Sequence, residues 1–203
     1  MKSTDLLFEL PPVLQLNESV HRFPEGIKTD RYTHTLHRFP GKFVPQVAEE
    51  LINIVLQNTL DSDLPILDPF CGCGTTNIEA AVLGTSSIGV DFDPLAAFIS
   101  SIKTTPLTQL EIGELKELLE KPISKKNHTK LIPDIENLDH WFSKDCLNQL
   151  SFIKENCLKI KSLHARRFSL GVFSAIIRRV SNADDQTQKT YVSGTLKKSP
   201  PLP

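Results

Sequence analysis

Apolar residues recur at helical spacing in three parts of the chain. The sets lie within residues 44–56, 147–158 and 168–180. Recurrence at i, i+3 and i+4 places apolar side chains on one face of a helix, so we predict amphipathic helices over these segments. The apolar positions are Val44, Val47, Ala48, Leu51, Ile52, Val55 and Leu56, then Leu147, Leu150, Ile153, Cys157 and Leu158, then Phe168, Val172, Ile176 and Val180.

Two shorter apolar runs, residues 64–67 and 87–90, have the length of buried strands. A helical pattern follows the first run, with Thr75 or Thr76 as its expected cap and Gly84 as its end. A strand, a helix and a second strand in this order predict a parallel α/β unit.

Composition places the chain among soluble globular proteins. It has 203 residues, of which 39% are hydrophobic and 23% charged, and this size fits one domain with a small appendage. No apolar run approaches the roughly 20 residues that a membrane-spanning helix needs, and the N-terminus lacks the pattern of a signal peptide. The four cysteines fit neither a disulfide framework nor zinc-ligand spacing. We therefore expect a cytoplasmic protein that uses neither a membrane nor a metal.

The net charge of −1 conceals an uneven distribution. Residues 151–203 carry ten lysines and arginines against three acids, whereas the preceding residues carry a net charge of −8. A basic C-terminal quarter indicates an anionic partner, although helices with solvated basic faces would give the same count. Two pairs of arginines are the candidates for contact with nucleic-acid phosphates. They are Arg166, Arg167, Arg178 and Arg179.

The most informative stretch is the turn between the first predicted strand and its helix. Residues 68–76 have the sequence DPFCGCGTT, in which Gly72 and Gly74 allow the backbone to approach a ligand closely. Asp91 follows the second strand. Because the carboxyl ends of parallel strands lie side by side, we expect the turn and this acid to meet at one ligand site. A glycine turn with an acid about 20 residues later suits a nucleoside, whose ribose hydroxyls the carboxylate would bind.

The turn lacks the third glycine of the dinucleotide motif G-x-G-x-x-G. Asp68 suits a different ligand, because a carboxylate there can pair with the cationic amino-acid end of S-adenosylmethionine. At this point the chain resembles the DNA amino-methyltransferases, which methylate N4 of cytosine or N6 of adenine. Residues 68–76 are similar to their cofactor motif, and residues 89–96, GVDFDPLA, are similar to the motif that follows it. Residues 37–46, HRFPGKFVPQ, resemble the family segment H-x-[YF]-P-[AG]-K-F-x-P-Q.

The resemblance implies S-adenosylmethionine as cofactor and double-stranded DNA as substrate, with cytosine N4 slightly favoured over adenine N6. It implies that one group of residues holds the cofactor, with Asp91 on the ribose: Asp68, Pro69, Phe70, Cys71, Gly72, Gly74, Thr75, Thr76, Asp91 and Phe92. It implies that a second group lines the methionine side: His37, Phe39, Pro40, Lys42 and Phe43. For Lys42, a solvated side chain is an equal alternative. RNA guanine-N2 methyltransferases share a similar glycine turn and stay an alternative, although they do not usually carry the upstream segment so close before it.

The catalytic motif of the family, [DNS]-P-P-[YFW], is not recognisable in this sequence. In the family it accepts hydrogen bonds from the target amino group and stacks its aromatic ring on the flipped base. The similar string at residues 199–202, SPPL, has no aromatic ring and follows no apolar strand. We therefore assign no catalytic residue within this chain. The pattern fits an enzyme truncated or split before this motif, with a second polypeptide as an expected partner. A cofactor- or DNA-binding subunit or relic without activity of its own is the alternative.

Two smaller motifs have simple interpretations. Cys71 and Cys73 form C-x-C, and His34 and His37 lie three residues apart, but neither pair has further metal ligands nearby in the sequence. Asp93 is better suited to forming a turn than to binding ribose.

We predict an α/β fold: a partial Rossmann-like methyltransferase domain followed by a mainly helical segment. The predicted divisions are an N-terminal extension (1–31), a cofactor-binding α/β half-domain (32–107), a helical insertion (108–180) and a polar tail (181–203). The sheet of the family has more strands than the two placed here. We therefore expect an uncovered apolar face, and either aggregation or obligate association.

Overall fold

A computed structural model describes residues 30–58, 63–122 and 131–183. Two parallel strands, β1 (Ile66–Asp68) and β2 (Ser87–Gly89), pair with Leu67 opposite Ile88. Both strands were predicted, but β1 begins two residues later than the apolar run 64–67 and includes the acid that follows it. The parallel pair and the helix between them make the α/β unit that the sequence indicates.

Seven helices complete the regular structure of the described residues. They are α1 (Pro45–Asn58), α2 (Thr75–Val82), α3 (Pro94–Thr104), α4 (Gln109–Glu120), α5 (Leu138–Trp141), α6 (Lys144–Leu158) and α7 (Leu163–Val180). Three of them, α1, α6 and α7, agree with the amphipathic helices predicted from periodicity. The predicted extension and polar tail fall almost entirely outside the described residues. Among the described helices, none has the length and hydropathy that crossing a bilayer requires.

The beginning of α2 differs from the prediction that a threonine caps it. The cap residue is Gly74, which has a φ of +83° and provides no side-chain cap, and Thr75 is already the first residue of the helix. Glycine is favoured there for two reasons. The left-handed conformation is strained for other residues, and a Cβ on Gly74 would lie 2.9 Å from the Cα of Ser100 in α3.

The helices form a connected series around the strands. α1 packs on α2, α2 on α3, and α3 on α7, while α4 and α6 also pack on α7. The contact between α3 and α7 is close, because a Cβ on Gly171 would collide with the side chain of Ile102. The mainly helical segment is therefore attached to the α/β unit through α3, with Ile99 and Ala165 fully buried.

The two faces of the small sheet differ in how far they are covered. α2 covers one face, where the Asn77 side-chain amide donates to the Ser87 hydroxyl at 3.1 Å. On the other face, Leu67, Ile88 and Val90 are 62%, 50% and 51% exposed. Apolar residues at adjacent positions of a parallel sheet are normally covered. This open face is the uncovered surface expected from the sequence.

Candidate cofactor site

The turn after β1 lies beside the end of β2. The Val90 N–H donates to the Asp68 carbonyl, and the Cys71 N–H donates to the Val90 carbonyl, both at 2.9 Å. These bonds continue the parallel ladder past the two strands. They bring Asp68, the glycine turn and Asp91 to one edge of the sheet, which is where such sheets bind ligands.

The carboxylate of Asp91 is fixed by two backbone amides. Its Oδ2 accepts from the Gly72 N–H at 2.8 Å, and its Oδ1 accepts from the Asp93 N–H at 2.8 Å. Gly72 has a φ of +50°, which a glycine adopts without strain. Each carboxylate oxygen can accept about two hydrogen bonds, so Asp91 can bind hydroxyl groups while it holds the turn.

The other two acids at this edge have local roles that the structure defines. Asp93 caps α3, because its Oδ1 accepts from the Leu95 N–H at 2.8 Å. This agrees with the interpretation of Asp93 as a turn-former. The Oδ1 of Asp68 accepts from the Phe70 N–H at 3.2 Å, which bends the chain into the turn.

Two aromatic rings stand exposed at the same edge. Phe70 is 88% exposed, and Phe92, the residue after the ribose-binding candidate, is fully exposed. A large exposed apolar side chain gains free energy when a ligand covers it. The rings therefore offer an apolar surface for a planar base beside the carboxylate of Asp91.

The cysteines of the turn are packing residues in this structure. Cys71 and Cys73 are buried, and burial raises the pKa of the Cys71 thiol. A Cβ on Gly89 would lie 2.8 Å from the Asn77 Oδ1 and 3.0 Å from the Cβ of Cys71, so glycine is favoured where the strand passes the turn. In the described ranges, no three His, Cys, Asp or Glu side chains are grouped so that they could hold a metal.

The upstream segment approaches the glycine turn through Phe39. A Cβ on Gly72 would lie 3.7 Å from the ring of Phe39. His37 bonds through Nε2 to the Ser174 hydroxyl of α7 at 3.3 Å, and burial lowers its pKa. Lys42 donates to the His34 carbonyl at 3.3 Å. The two histidines have different side-chain partners, since His34 bonds to Glu79 and His37 to Ser174.

A cavity of about 710 Å³ separates residues 35–42 from α7. This volume lies within the range of small-molecule sites. Four basic side chains line it, two from each wall: Arg38, Lys42, Arg178 and Arg179. Pro40 also lines the cavity, and Phe43 is two-thirds exposed.

The first arginine pair lies in a different environment from the second. Arg167 donates to the Ser101 hydroxyl at 2.9 Å and stacks on the ring of Phe98, with its guanidinium carbon 5.2 Å from the centroid. Its head group is therefore engaged with α3. The four arginines that we predicted as one set are thus divided, and only Arg178 and Arg179 line the cavity.

One buried group at the site was missed by the sequence analysis. Glu79 in α2 is completely buried and bonds to His34 and Arg31. The signal was present, because Glu79 is a lone acid on the apolar stretch 78–83 of a predicted helix that packs against the sheet. An acid at such a position requires a partner, but nothing in the sequence indicates which one.

Comparisons with known proteins show which proteins this chain is similar to. Residues 37–132 match the family described as RMKL-like, methyltransferase domain. The Type II methyltransferase M.MvaI of Kocuria varians is 30% identical over 172 residues, which cover 80% of this chain and 37% of that protein. Over most of its length the chain is therefore similar to methyltransferases. The resemblance stated from the motifs is confirmed, and with it the expectation of an enzyme family whose methyl donor is S-adenosylmethionine.

Further similar proteins fall into two classes. The Type II methyltransferase M.MjaII of Methanocaldococcus jannaschii is 28% identical over 159 residues, 78% of this chain and 26% of that protein. The tRNA (guanine(10)-N2)-dimethyltransferase of the same organism is 30% identical over 119 residues, 59% of this chain and 28% of that protein. The chain therefore spans between about a quarter and two-fifths of the length of these relatives. No solved structure matches the chain.

Proposed function

We propose that the chain forms the S-adenosylmethionine-binding part of a DNA amino-methyltransferase, with cytosine N4 as the favoured target and adenine N6 as the next. One observation carries the proposal. The Asp91 carboxylate is held by the Gly72 N–H at the edge where the glycine turn and the exposed ring of Phe92 meet. This arrangement offers a ribose acceptor, an apolar surface for the adenine and a backbone that a ligand can approach.

Each part of the cofactor has a matching group in the described residues. Asp91 would bind the ribose hydroxyls, and Phe92 would cover one face of the adenine. Asp68 would pair with the ammonium group of the methionine part. The 37–43 segment, in contact with the turn through Phe39, would line that end. When bound, the cofactor supplies an electrophilic methyl group, and the residues of the chain orient it.

Methyl transfer requires a group that accepts hydrogen bonds from the target amine, and no recognisable [DNS]-P-P-[YFW] motif provides one here. We propose that a second polypeptide segment, outside this sequence, contributes it. The open sheet face of Leu67, Ile88 and Val90 supports this proposal, because a larger parallel sheet carries further connecting helices that would cover this face. We also propose that the division at residue 107 separates the cofactor half-domain from the helical insertion.

The basic cavity supports DNA as the polyanionic substrate. Arg38, Lys42, Arg178 and Arg179 line its two walls, and each cation placed on a phosphate releases counterions from the DNA. The cavity adjoins the segment that contacts the glycine turn through Phe39. A strand held there would therefore lie next to the methyl donor.

Calorimetric titration of the full chain with S-adenosylmethionine and S-adenosylhomocysteine tests the central proposal. Saturable binding of both, with no binding of NAD, is expected. Absence of binding to the folded chain would overturn the proposal. Tritium transfer to unmethylated duplex DNA is expected only after a polypeptide bearing the catalytic motif is added. Nucleoside analysis would then distinguish N4-methylcytosine from N6-methyladenine.

A second candidate function is methylation of guanine N2 in RNA. It is favoured by the similarity to the tRNA (guanine(10)-N2)-dimethyltransferases of Methanocaldococcus jannaschii and Methanothermobacter thermautotrophicus, the latter 38% identical over 55 residues. The two DNA methyltransferases M.MvaI and M.MjaII cover more of this chain, which is why DNA is placed first. Transfer to a tRNA transcript and none to duplex DNA, in the same reconstituted mixture, would reverse this order.

A further inference from the structure

The carboxylate of Glu79 is buried where a lone charge would be very costly. Glu79 lies in the middle of α2 and is 0% exposed. Removing a carboxylate from water costs several kcal/mol unless good partners compensate. Both of its oxygens have such a partner: Oε1 lies 2.6 Å from the His34 Nε2, and Oε2 lies 2.5 Å from the Arg31 Nη2. Both partners come from the segment that precedes α1.

The same short turn is held by neighbouring helices as well. Arg31 also donates to the Glu49 carboxylate of α1 at 2.6 Å. The Thr33 hydroxyl donates to the Lys103 carbonyl at the end of α3 at 3.0 Å, and the Lys103 Nζ donates to the His34 carbonyl at 3.5 Å. Residues 31–34 are therefore fixed to the bodies of α1, α2 and α3.

These anchors place the next part of the segment over the cofactor turn. Lys42 donates back to the His34 carbonyl, so residues 35–41 form a loop closed at both ends on the same anchored residue. Phe39, near the middle of this loop, lies against Gly72. The helix that carries Glu79 begins directly after that glycine turn. One helix thus fixes both the turn and the loop that faces it.

We propose that Glu79 is a positioning residue, which holds the 35–41 loop over the methionine end of the cofactor through His34 and Arg31. The inference rests on the proposed function, because it takes the glycine turn as the cofactor site. Glu79 itself touches no ligand. It acts by fixing the distance between the loop and the turn.

The first test needs no cofactor. Arg38 and Lys42 are exposed and are trypsin sites within or next to the loop. Glu79→Gln removes the charge that both partners require, and trypsin should cleave after Arg38 and Lys42 about tenfold faster or more. Cleavage at exposed Lys159 in the C-cap of α6 should keep its rate. Glu117→Gln, an exposed position of α4, is the matched control. Equal rates in the Glu79 variant and this control would overturn the inference.

The second test compares the affinity for S-adenosylmethionine with the affinity for adenosine, which lacks the methionine part. Glu79→Gln should weaken S-adenosylmethionine binding about tenfold and leave adenosine binding unchanged, because the proposed function places the loop at the methionine end, which adenosine lacks. Equal loss for both ligands would indicate general damage and overturn the positioning role. A wild-type chain that binds neither ligand would instead defeat the proposed function, while the proteolysis result would stand. If Glu79→Gln does not fold, Arg31→Met removes one anchor from a partly exposed site and is expected to show the same pattern.

Discussion

Asp91 and Gly72 are joined by a hydrogen bond of 2.8 Å from the glycine N–H to the Asp91 Oδ2. The acid that ends the second strand thus fixes the turn that follows the first strand, 19 residues earlier. The bond couples the shape of the glycine turn to the position of the ribose acceptor. A substitution at either residue is therefore expected to change the geometry at the other.

Replacing Asp91 by asparagine is expected to weaken S-adenosylmethionine binding by about 1–3 kcal/mol, because charge-assisted bonds to ribose are lost. Asparagine keeps one acceptor for the Gly72 N–H and loses the acceptor for the Asp93 N–H, so the fold should survive with a modest loss of stability. Asp93→Asn is the matched control, since asparagine is a good helix cap and Asp93 caps α3. Calorimetry checks both variants. Unchanged affinity in Asp91→Asn would mean that the ribose binds elsewhere.

Gly74→Ala is expected to destabilise the fold by about 2 kcal/mol or more, because strain at a φ of +83° combines with a backbone collision. Gly84 has a φ of +74° with open space around it. Its alanine variant therefore carries the strain alone, about 1 kcal/mol. Urea unfolding of both variants measures the difference. Equal losses would show that Ser100 moves away without cost.

Phe92→Ala should weaken cofactor binding by about 1–2 kcal/mol, because the adenine then covers less apolar surface. The fold should lose nothing, since the ring is fully exposed. Leu119→Ala removes another exposed apolar side chain, far along the sequence in α4, and serves as the control. A titration in which both variants bind like the wild type would contradict the placement of the adenine.

Glu111 makes stability depend on pH. Hydrogen bonds from the Ser162 hydroxyl, and from the N–H and hydroxyl of Thr108, lower the pKa of Glu111 from 4.5 to about 2. A pKa lower in the folded state stabilises the fold above pH 4.5, and this stabilisation is lost as the pH falls towards 2.

Glu111→Gln should therefore flatten the dependence of the free energy of unfolding on pH between these two values. Denaturant unfolding at a series of pH values measures the slope. Glu117→Gln, on the same helix but exposed, should retain the wild-type slope. A similar flattening in both variants would assign the effect to general charge and not to the bonds of Glu111.

Arg178 and Arg179 are expected to contribute more to DNA binding than Arg167. Replacing Arg178 and Arg179 by glutamine should weaken binding and lower the salt slope by about 0.9 for each phosphate that is no longer neutralised. Arg167→Gln should change the slope little, because its guanidinium is engaged with Ser101 and Phe98. Gel-shift titrations over a range of salt concentrations measure the slopes. A larger effect from Arg167 would relocate the phosphate contacts to the α3 side of α7.

The sequence predicts the strand, turn, helix and strand of residues 66–89 because those features are local. Glycines that require positive φ indicate turns, and acids that follow apolar runs indicate the ends of strands. The contacts between distant segments were not predictable in this way. Periodicity shows that α7 has an apolar face, but not that Ser174 meets His37 at a separation of 137 residues. Likewise, the position of Glu79 indicates that it needs a partner, while the identity of His34 as that partner follows only from packing.

The glycine at position 171 limits where the chain can be shortened. Ile102 occupies the space that a side chain on Gly171 would fill, so α3 depends on α7 for its cover. A fragment cut after residue 107 would retain the whole cofactor turn but leave the outer side of α3 open to water. The smallest portion of this chain that could be excised as a folded cofactor binder therefore extends through α7, whatever division the motifs themselves indicate.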